Sequence, residues 1–312
     1  MKTALKPRKL TVRERINIIF CRYTVVIAIL TIAFGIFAFV IQKNILFYIV
    51  TGFVFSVGLS CLLKFLDITI KTPGDIESCM KISCLGSIPL IRKEYKKKNQ
   101  QKITPYVYQH PCVVQAFKKI EAALSKSYLG EESLKTIVVS SFVPKEGKSF
   151  VAINIAIAFA AAGEETLIID GDMRKGNLNG IFGVDKKEGL SNVLAGASLF
   201  HEVIVPTEIE KLSLLPLGAI SPNPIELLKT DKIKEILSEA GTKFKKIVID
   251  TPPVLSVTDA ISFGSECDGL VFVVKAGLTS FQQITETKQI IGSKVNTLGV
   301  LLNGIDNKRS GY

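Results

Sequence analysis

Residues Lys135 to Asp172, KTIVVSSFVPKEGKSFVAINIAIAFAAAGEETLIIDGD, leave this chain few folds to choose from. An apolar strand, Thr136 to Ser140, runs into a short loop, Phe142 to Gly147. The loop hands Lys148 and Ser149 to the start of a helix that stays apolar to Ala162. A second apolar strand, Thr166 to Ile169, then ends in Asp170 and Asp172. Backbone N–H groups at a loop that opens a helix form a concave anion site, and the helix dipole reinforces it. Gly147 lets the backbone approach a phosphate, Lys148 brings a point charge, and the Ser149 hydroxyl can ligate magnesium. Acids at a strand end suit the hard, water-rich shell of that ion. The strict phosphate-loop pattern places Gly six residues before the lysine, and Phe142 stands there. The assignment therefore rests on context: a strand before, a helix after, and a second acidic strand end at Asp250.

The chain has 312 residues, enough for one sizeable domain and something more. Tyr23 to Ile41 and Ile45 to Leu63 are two uncharged, mostly apolar runs, each about one bilayer core long as a helix. Only Gln42, Lys43 and Asn44 join them, which predicts a transmembrane helical hairpin. Residues 1–15 carry six Lys/Arg against one Glu, and residues 92–102 again carry six against one. Both patches belong on the cytoplasmic side, which places both termini there and the chain in the inner or plasma membrane. Together they hold 10 of the net charge of +11, so the remainder is near neutral. The basic balance therefore reads as topology signals beside an anionic leaflet and not as a nucleic-acid surface. The six cysteines are scattered without a paired spacing, which predicts neither a metal site nor a disulfide frame.

Four regions follow: a basic cytoplasmic N-terminus (1–22), the hairpin (23–64), a juxtamembrane linker (65–110) and a nucleotide-binding domain with a C-terminal tail (111–312). In the linker, Asp75 could cap a short helix toward Met80, and Leu85 to Pro89 reads as extended. In the domain, Val113 to Ser127 has apolar residues spaced for one helix face. Further strands are expected at Leu212 to Leu217, Lys246 to Asp250, Leu270 to Val274 and Leu298 to Leu302. Helices are expected at Leu190 to Leu194, Glu226 to Ala240 and Phe281 to Ile291. Val/Ile/Leu-rich strands alternating with helices predict an α/β fold, a parallel sheet covered on both faces. Ligands then sit at the carboxyl ends of the strands, where Ser149, Asp170, Asp172 and Asp250 fall.

Three segments, SFVPKEGKS (Ser141 to Ser149), IIDGDMR (Ile168 to Arg174) and IVIDTPP (Ile247 to Pro253), resemble the Walker A, A′ and B motifs of the bacterial tyrosine kinases of capsular and exopolysaccharide biosynthesis. GLSNVLAG (189–196), PNPIELL (222–228), FLDITIKTPGDIE and LGSIP agree, so the likeness spans roughly residues 65–312. It implies ATP and Mg2+ as cofactors and protein-tyrosine autophosphorylation as the activity. Pro144, Lys145, Glu146, Gly147, Lys148, Ser149, Phe150 and Asn303 would bind nucleotide, with Asn303 at the adenine. Ser149, Asp170 and Asp250 would serve the metal. Lys148, Asp170, Asp172 and Arg174 would be catalytic, Asp172 as base for the tyrosine hydroxyl. The phosphoacceptor would be Tyr312, the one tyrosine of the tail. Polysaccharide-assembly proteins, a phosphotyrosine phosphatase and further copies of the chain are the implied partners.

The sequence departs from the family pattern in three places. Lys145 stands where the loop usually has Gly, and positive φ there would cost about 1 kcal/mol. The E-x-x-R-x-x-R oligomerisation signature falls on Gln115, Lys118 and Glu121. The hairpin has no room for an extracytoplasmic domain. A kinase-like ATPase switch and a non-catalytic scaffold are the competing readings.

Overall fold

The computed structural model describes residues 29–35, 45–65, 68–90, 111–127 and 134–306, apart from 186, 222, 229–230, 258 and 293. They fall into two units, residues 1–67 and 68–312. In the first unit residues 29–35 are helical, and α1 (Ile45–Phe65) runs for 21 residues. Phe47, Ile49, Val50, Phe53 and Val54 are all exposed on α1. Among the described residues no helix is long and apolar enough to cross a membrane. Most of the first expected span, 23–41, lies outside them, as do the basic N-terminus, residues 91–110 and the tail with Tyr312.

The second unit is built on one eight-stranded sheet in the order β1-β8-β7-β2-β6-β3-β5-β4. Its strands are β1 (Cys84–Pro89), β2 (Thr136–Ser141), β3 (Thr166–Asp170), β4 (Val205–Pro206), β5 (Leu212–Leu215), β6 (Lys246–Asp250), β7 (Gly269–Lys275) and β8 (Thr297–Ile305). Every pairing is parallel except β4 with β5. Successive side chains of a strand point to opposite faces. Here both faces are apolar: Ile137 and Val139 of β2 join one core, Val138 the other. Val271 and Val273 divide from Leu270, Phe272 and Val274 in the same way. Such strands must be covered on both sides, and they are. One face carries α3 (Pro111–Ser127) and α4 (Lys148–Ala161), with Phe117, Ile120, Val151 and Ile155 in its core. The other carries α2 (Pro73–Met80), α9 (Lys232–Lys243), α10 (Asp259–Gly264) and α11 (Phe281–Ile291). Short helices α5 (Leu178–Phe182), α6 (Leu190–Leu194), α7 (Phe200–Val203) and α8 (Pro224–Leu228) fill the connections.

Two expectations change. The helix read as Glu226 to Ala240 is two helices, α8 and α9. Residues 68–90, assigned to the linker, belong to the domain. Ile70, Ile76, Met80 and Ile88 are at most 2% exposed, and β1 pairs with β8 at the sheet edge. Thr69 bridges to Ser280, and the Ile70 N–H donates to the Thr279 carbonyl at 2.8 Å. Thr72 caps α2 in a capping box, with Asp75, the third residue of the helix, as its partner and not the cap itself.

Candidate active site at the strand ends

β2 lies between β6 and β7, and the chain passes over β6 to form β3. The carboxyl ends of β2, β6 and β3 therefore open on one crevice at a switch point of the sheet. The phosphate loop leaves β2 there. Gly147 is the residue before α4, with φ 94°. A Cβ on it would sit 2.3 Å from the Asn303 side-chain nitrogen, so only glycine fits. Phe142 is fully buried and stacks on Phe272 of β7 with ring centres 4.7 Å apart. The position where the strict pattern wants Gly thus faces the core, not a phosphate.

Lys148, the first residue of α4, reaches back over the strand ends. Its Nζ lies 3.1 Å from Asp172 Oδ2, 3.3 Å from Asp250 Oδ1 and 3.3 Å from Ser149 Oγ. Burial works to lower the lysine pKa, but Asp250 and Asp172 together raise it, so the ammonium is held charged. Asp250 is 3% exposed in its side chain. Burial raises its pKa against the pull of Lys148 and a Ser149 hydrogen bond. Asp170 pairs in register with Asp250 across β3 and β6. Burial, with Asp250 and Asp172 as like charges, raises its carboxyl to about 7, although the Leu178 and Asp172 N–H groups donate to it at 3.0 and 3.3 Å. Gly171 separates the two acids of the D-G-D turn. Its N–H donates to the Asp250 carbonyl at 2.8 Å, and a Cβ there would meet Ile249 at 2.9 Å. The turn then aims Asp172 at Lys148, and the Lys175 N–H donates to Asp172 Oδ1 at 3.2 Å.

Lys148, Ser149, Asp170, Asp172 and Asp250 are thus brought together, although they span 102 residues between Lys148 and Asp250. Arg174 is on the same turn but exposed. Asn303 lies beside the phosphate loop and donates to the Glu146 carbonyl at 2.8 Å. Pro144 and Lys145 are exposed, and Lys145 has φ 73°, the left-handed conformation a glycine would take without strain. Phe150 packs edge-on against Phe117 of α3. Glu146 turns the other way from Lys148. Its carboxylate is buried, accepts from the Val143 N–H at 2.6 Å and from the Thr279 hydroxyl, and is raised by burial to about 7. Neither Thr279 nor Asp259, a buried acid near Arg174, was singled out by sequence. Both act at distances along the chain that no local pattern reports.

The donor set around Lys148 is all oxygen: one hydroxyl and carboxylates, the kind a hard cation takes. Among the described residues no three acidic, histidine or cysteine side chains form a metal-holding group by themselves.

A family model described as an AAA domain matches residues 134–298. The tyrosine-protein kinase YwqD of Bacillus subtilis is 35% identical over 175 residues, 56% of this chain and 74% of that protein. The putative tyrosine-protein kinase CapB of Staphylococcus aureus is 34% identical, over 69% of this chain and 96% of that protein. The chain belongs to the bacterial tyrosine-kinase family of P-loop NTPases. The solved kinase domain of Escherichia coli tyrosine kinase ETK superposes with a TM-score of 0.71 at 27% identity, covering 78% of this chain and 98% of that one. The family's enzyme class, protein-tyrosine kinase, agrees with a site in which the Lys148 ammonium sits among acids at a phosphate loop.

Proposed function

We propose that this protein is a membrane-anchored, ATP-dependent protein-tyrosine autokinase that regulates capsular or exopolysaccharide synthesis and export. The observation that carries the reading is the convergence of Lys148, Ser149, Asp172 and Asp250 at adjoining strand ends. Phosphoryl transfer asks mostly for positioning and charge stabilisation, and this set supplies both.

The loop N–H groups up to Phe150 and the Lys148 ammonium hold the outer phosphates of ATP, and the Lys148 contacts to the acids yield to them. Ser149 and Asp250 would hold Mg2+, with Asp170 behind them, and the ion would supply positive charge against the triphosphate. The acceptor tyrosine oxygen attacks the γ-phosphorus, its proton passes to an Asp172 carboxylate oxygen, and ADP leaves with the bridging oxygen. Asn303 orders the loop beside the nucleotide. Membrane attachment rests on α1, a 21-residue helix with exposed apolar side chains, and on the flanking basic runs. Tyr312 serves as the acceptor. Polysaccharide-assembly proteins, a phosphotyrosine phosphatase and further copies of the chain are its partners.

The test is mass spectrometry of the purified full chain after incubation with ATP and Mg2+. Phosphotyrosine is expected in the wild type, and a loss on the order of a hundredfold or more in Lys148→Met. Equal labelling of the two proteins, or none in the wild type, contradicts the reading.

A further inference from the structure

Asp259, the first residue of α10, is 1% exposed, and among the described residues neither of its carboxylate oxygens has a hydrogen-bond partner. Buried carboxyls are nearly always satisfied, so an orphan asks for a group that moves onto it. The cation that faces it is Arg174. Its Nε lies 3.9 Å from Asp259 Oδ2, and its side chain is 43% exposed. That separation is too long for a hydrogen bond, yet a small rotation of the arginine side chain closes it. Arg174 rides on the turn that carries Asp172, with its own N–H 3.4 Å from Asp172 Oδ1. Burial raises the Asp259 carboxyl, Arg174 lowers it and Asp172 raises it further, so the three groups share one electrostatic neighbourhood.

We propose that Asp259 is the seat of Arg174: it takes the Nε–H and one terminal N–H of the guanidinium, and leaves the other donors for the phosphoryl group in transfer. A guanidinium offers five donors in a rigid planar fork, so a carboxylate on one edge fixes the plane without using up the rest. An arginine on an exposed turn otherwise samples many rotamers in water. A buried acid behind it holds the charge in place before the reaction, which is where electrostatic stabilisation is most effective. Asp259 touches no reacting atom; it is a positioning residue. The inference rests on the kinase reading for what Arg174 stabilises, and on the geometry alone for where Arg174 sits.

The experiment keeps the two apart. The full chain, as wild type and as Asp259→Asn, is bound to Mg2+ and a non-hydrolysable ATP analogue and treated with phenylglyoxal. Arg174 labelling is followed by peptide mass spectrometry. Labelling is expected to be several-fold slower in the wild type; equal rates overturn the seat, whatever the kinase does. In parallel, single-turnover phosphotyrosine formation is expected to fall about tenfold in Asp259→Asn and in Arg174→Ala with ATP affinity unchanged, and no further in the double variant. Falls that multiply in the double variant, or a fall in ATP affinity that accounts for the rate, also overturn it. Wild-type protein that forms no phosphotyrosine defeats the kinase reading and leaves the labelling to decide the seat. Asp259→Ser is run alongside so that the comparison stands if the asparagine variant fails to melt cooperatively.

Discussion

The phosphate loop has two sides, and each holds acids in a different way. On the outer side Asp172 and Asp250 share one lysine, and Asp250 is nearly buried while Asp172 and Lys148 keep some access to solvent. On the inner side Glu146 is closed off and is satisfied by a backbone N–H and a threonine hydroxyl. The outer contacts are ion pairs that a triphosphate can replace. The inner ones are short-range hydrogen bonds with nothing to exchange for. One stretch of loop thus combines an exchangeable charge cluster with a fixed anchor, and the anchor is tied to Thr279, on whose carbonyl residue Ile70 also docks. The difference teaches that carboxylates around one phosphate loop do unlike work when burial and partners differ.

The contrast is broken most strongly by removing the anchor. Glu146→Leu leaves the Val143 N–H and the Thr279 hydroxyl unpaired in the core, and a loss of about 2–3 kcal/mol in unfolding free energy is expected by denaturant titration. Thr279→Val removes one partner and should cost about 1 kcal/mol, without abolishing ATP binding. A stable Glu146→Leu protein would mean that the inner side is not an anchor. Lys145→Gly relieves the positive φ at a position with no packing role. Set against the extra freedom glycine brings to the unfolded chain, a gain of about 0.5–1 kcal/mol is expected.

A pH dependence sharpens the same comparison. Glu146 has an ordinary value of 4.5 and is raised to about 7 in the fold, and Asp170 is raised from 3.8 to about 7. The folded state therefore binds more protons than the unfolded state between those values, so stability falls as pH rises from 3.8 to about 7 and levels off above. Glu146→Gln should flatten that slope in thermal melts taken across the window. An unchanged slope would assign it to Asp170 and the other carboxyls.

Much of this was legible before any coordinates. Thr136 to Asp172 declared strand, loop, helix and strand because its apolar runs and its Gly-Lys-Ser sit at the spacing those elements impose. Asp250 at the end of Lys246–Asp250 declared the crevice only together with Asp170 and Asp172, since one acid closing an apolar strand reads as a solvated end, whereas three in a phosphate-loop domain point to a metal site. The exact extents of β6 and α11 followed from the same patterns. What stayed hidden depended on partners far along the chain. Thr279 meets Glu146 across 133 residues, and Asp259 meets Arg174 across several helices and the strands β4, β5 and β6. Burial of a charged side chain is a property of packing, and the sequence shows only the charge. Residues 68–90 were hidden for another reason: a basic run after Leu90 masked four buried apolar side chains before it.

The most direct measurement is calorimetric titration of ATP into the full chain with and without Mg2+, for the wild type and Asp250→Asn. If Lys148, Ser149 and Asp250 serve one metal-bound nucleotide, Mg2+ tightens wild-type binding about tenfold or more, and the asparagine variant loses that gain while still binding ATP. An Asp250→Asn protein that keeps the full magnesium effect would contradict the account.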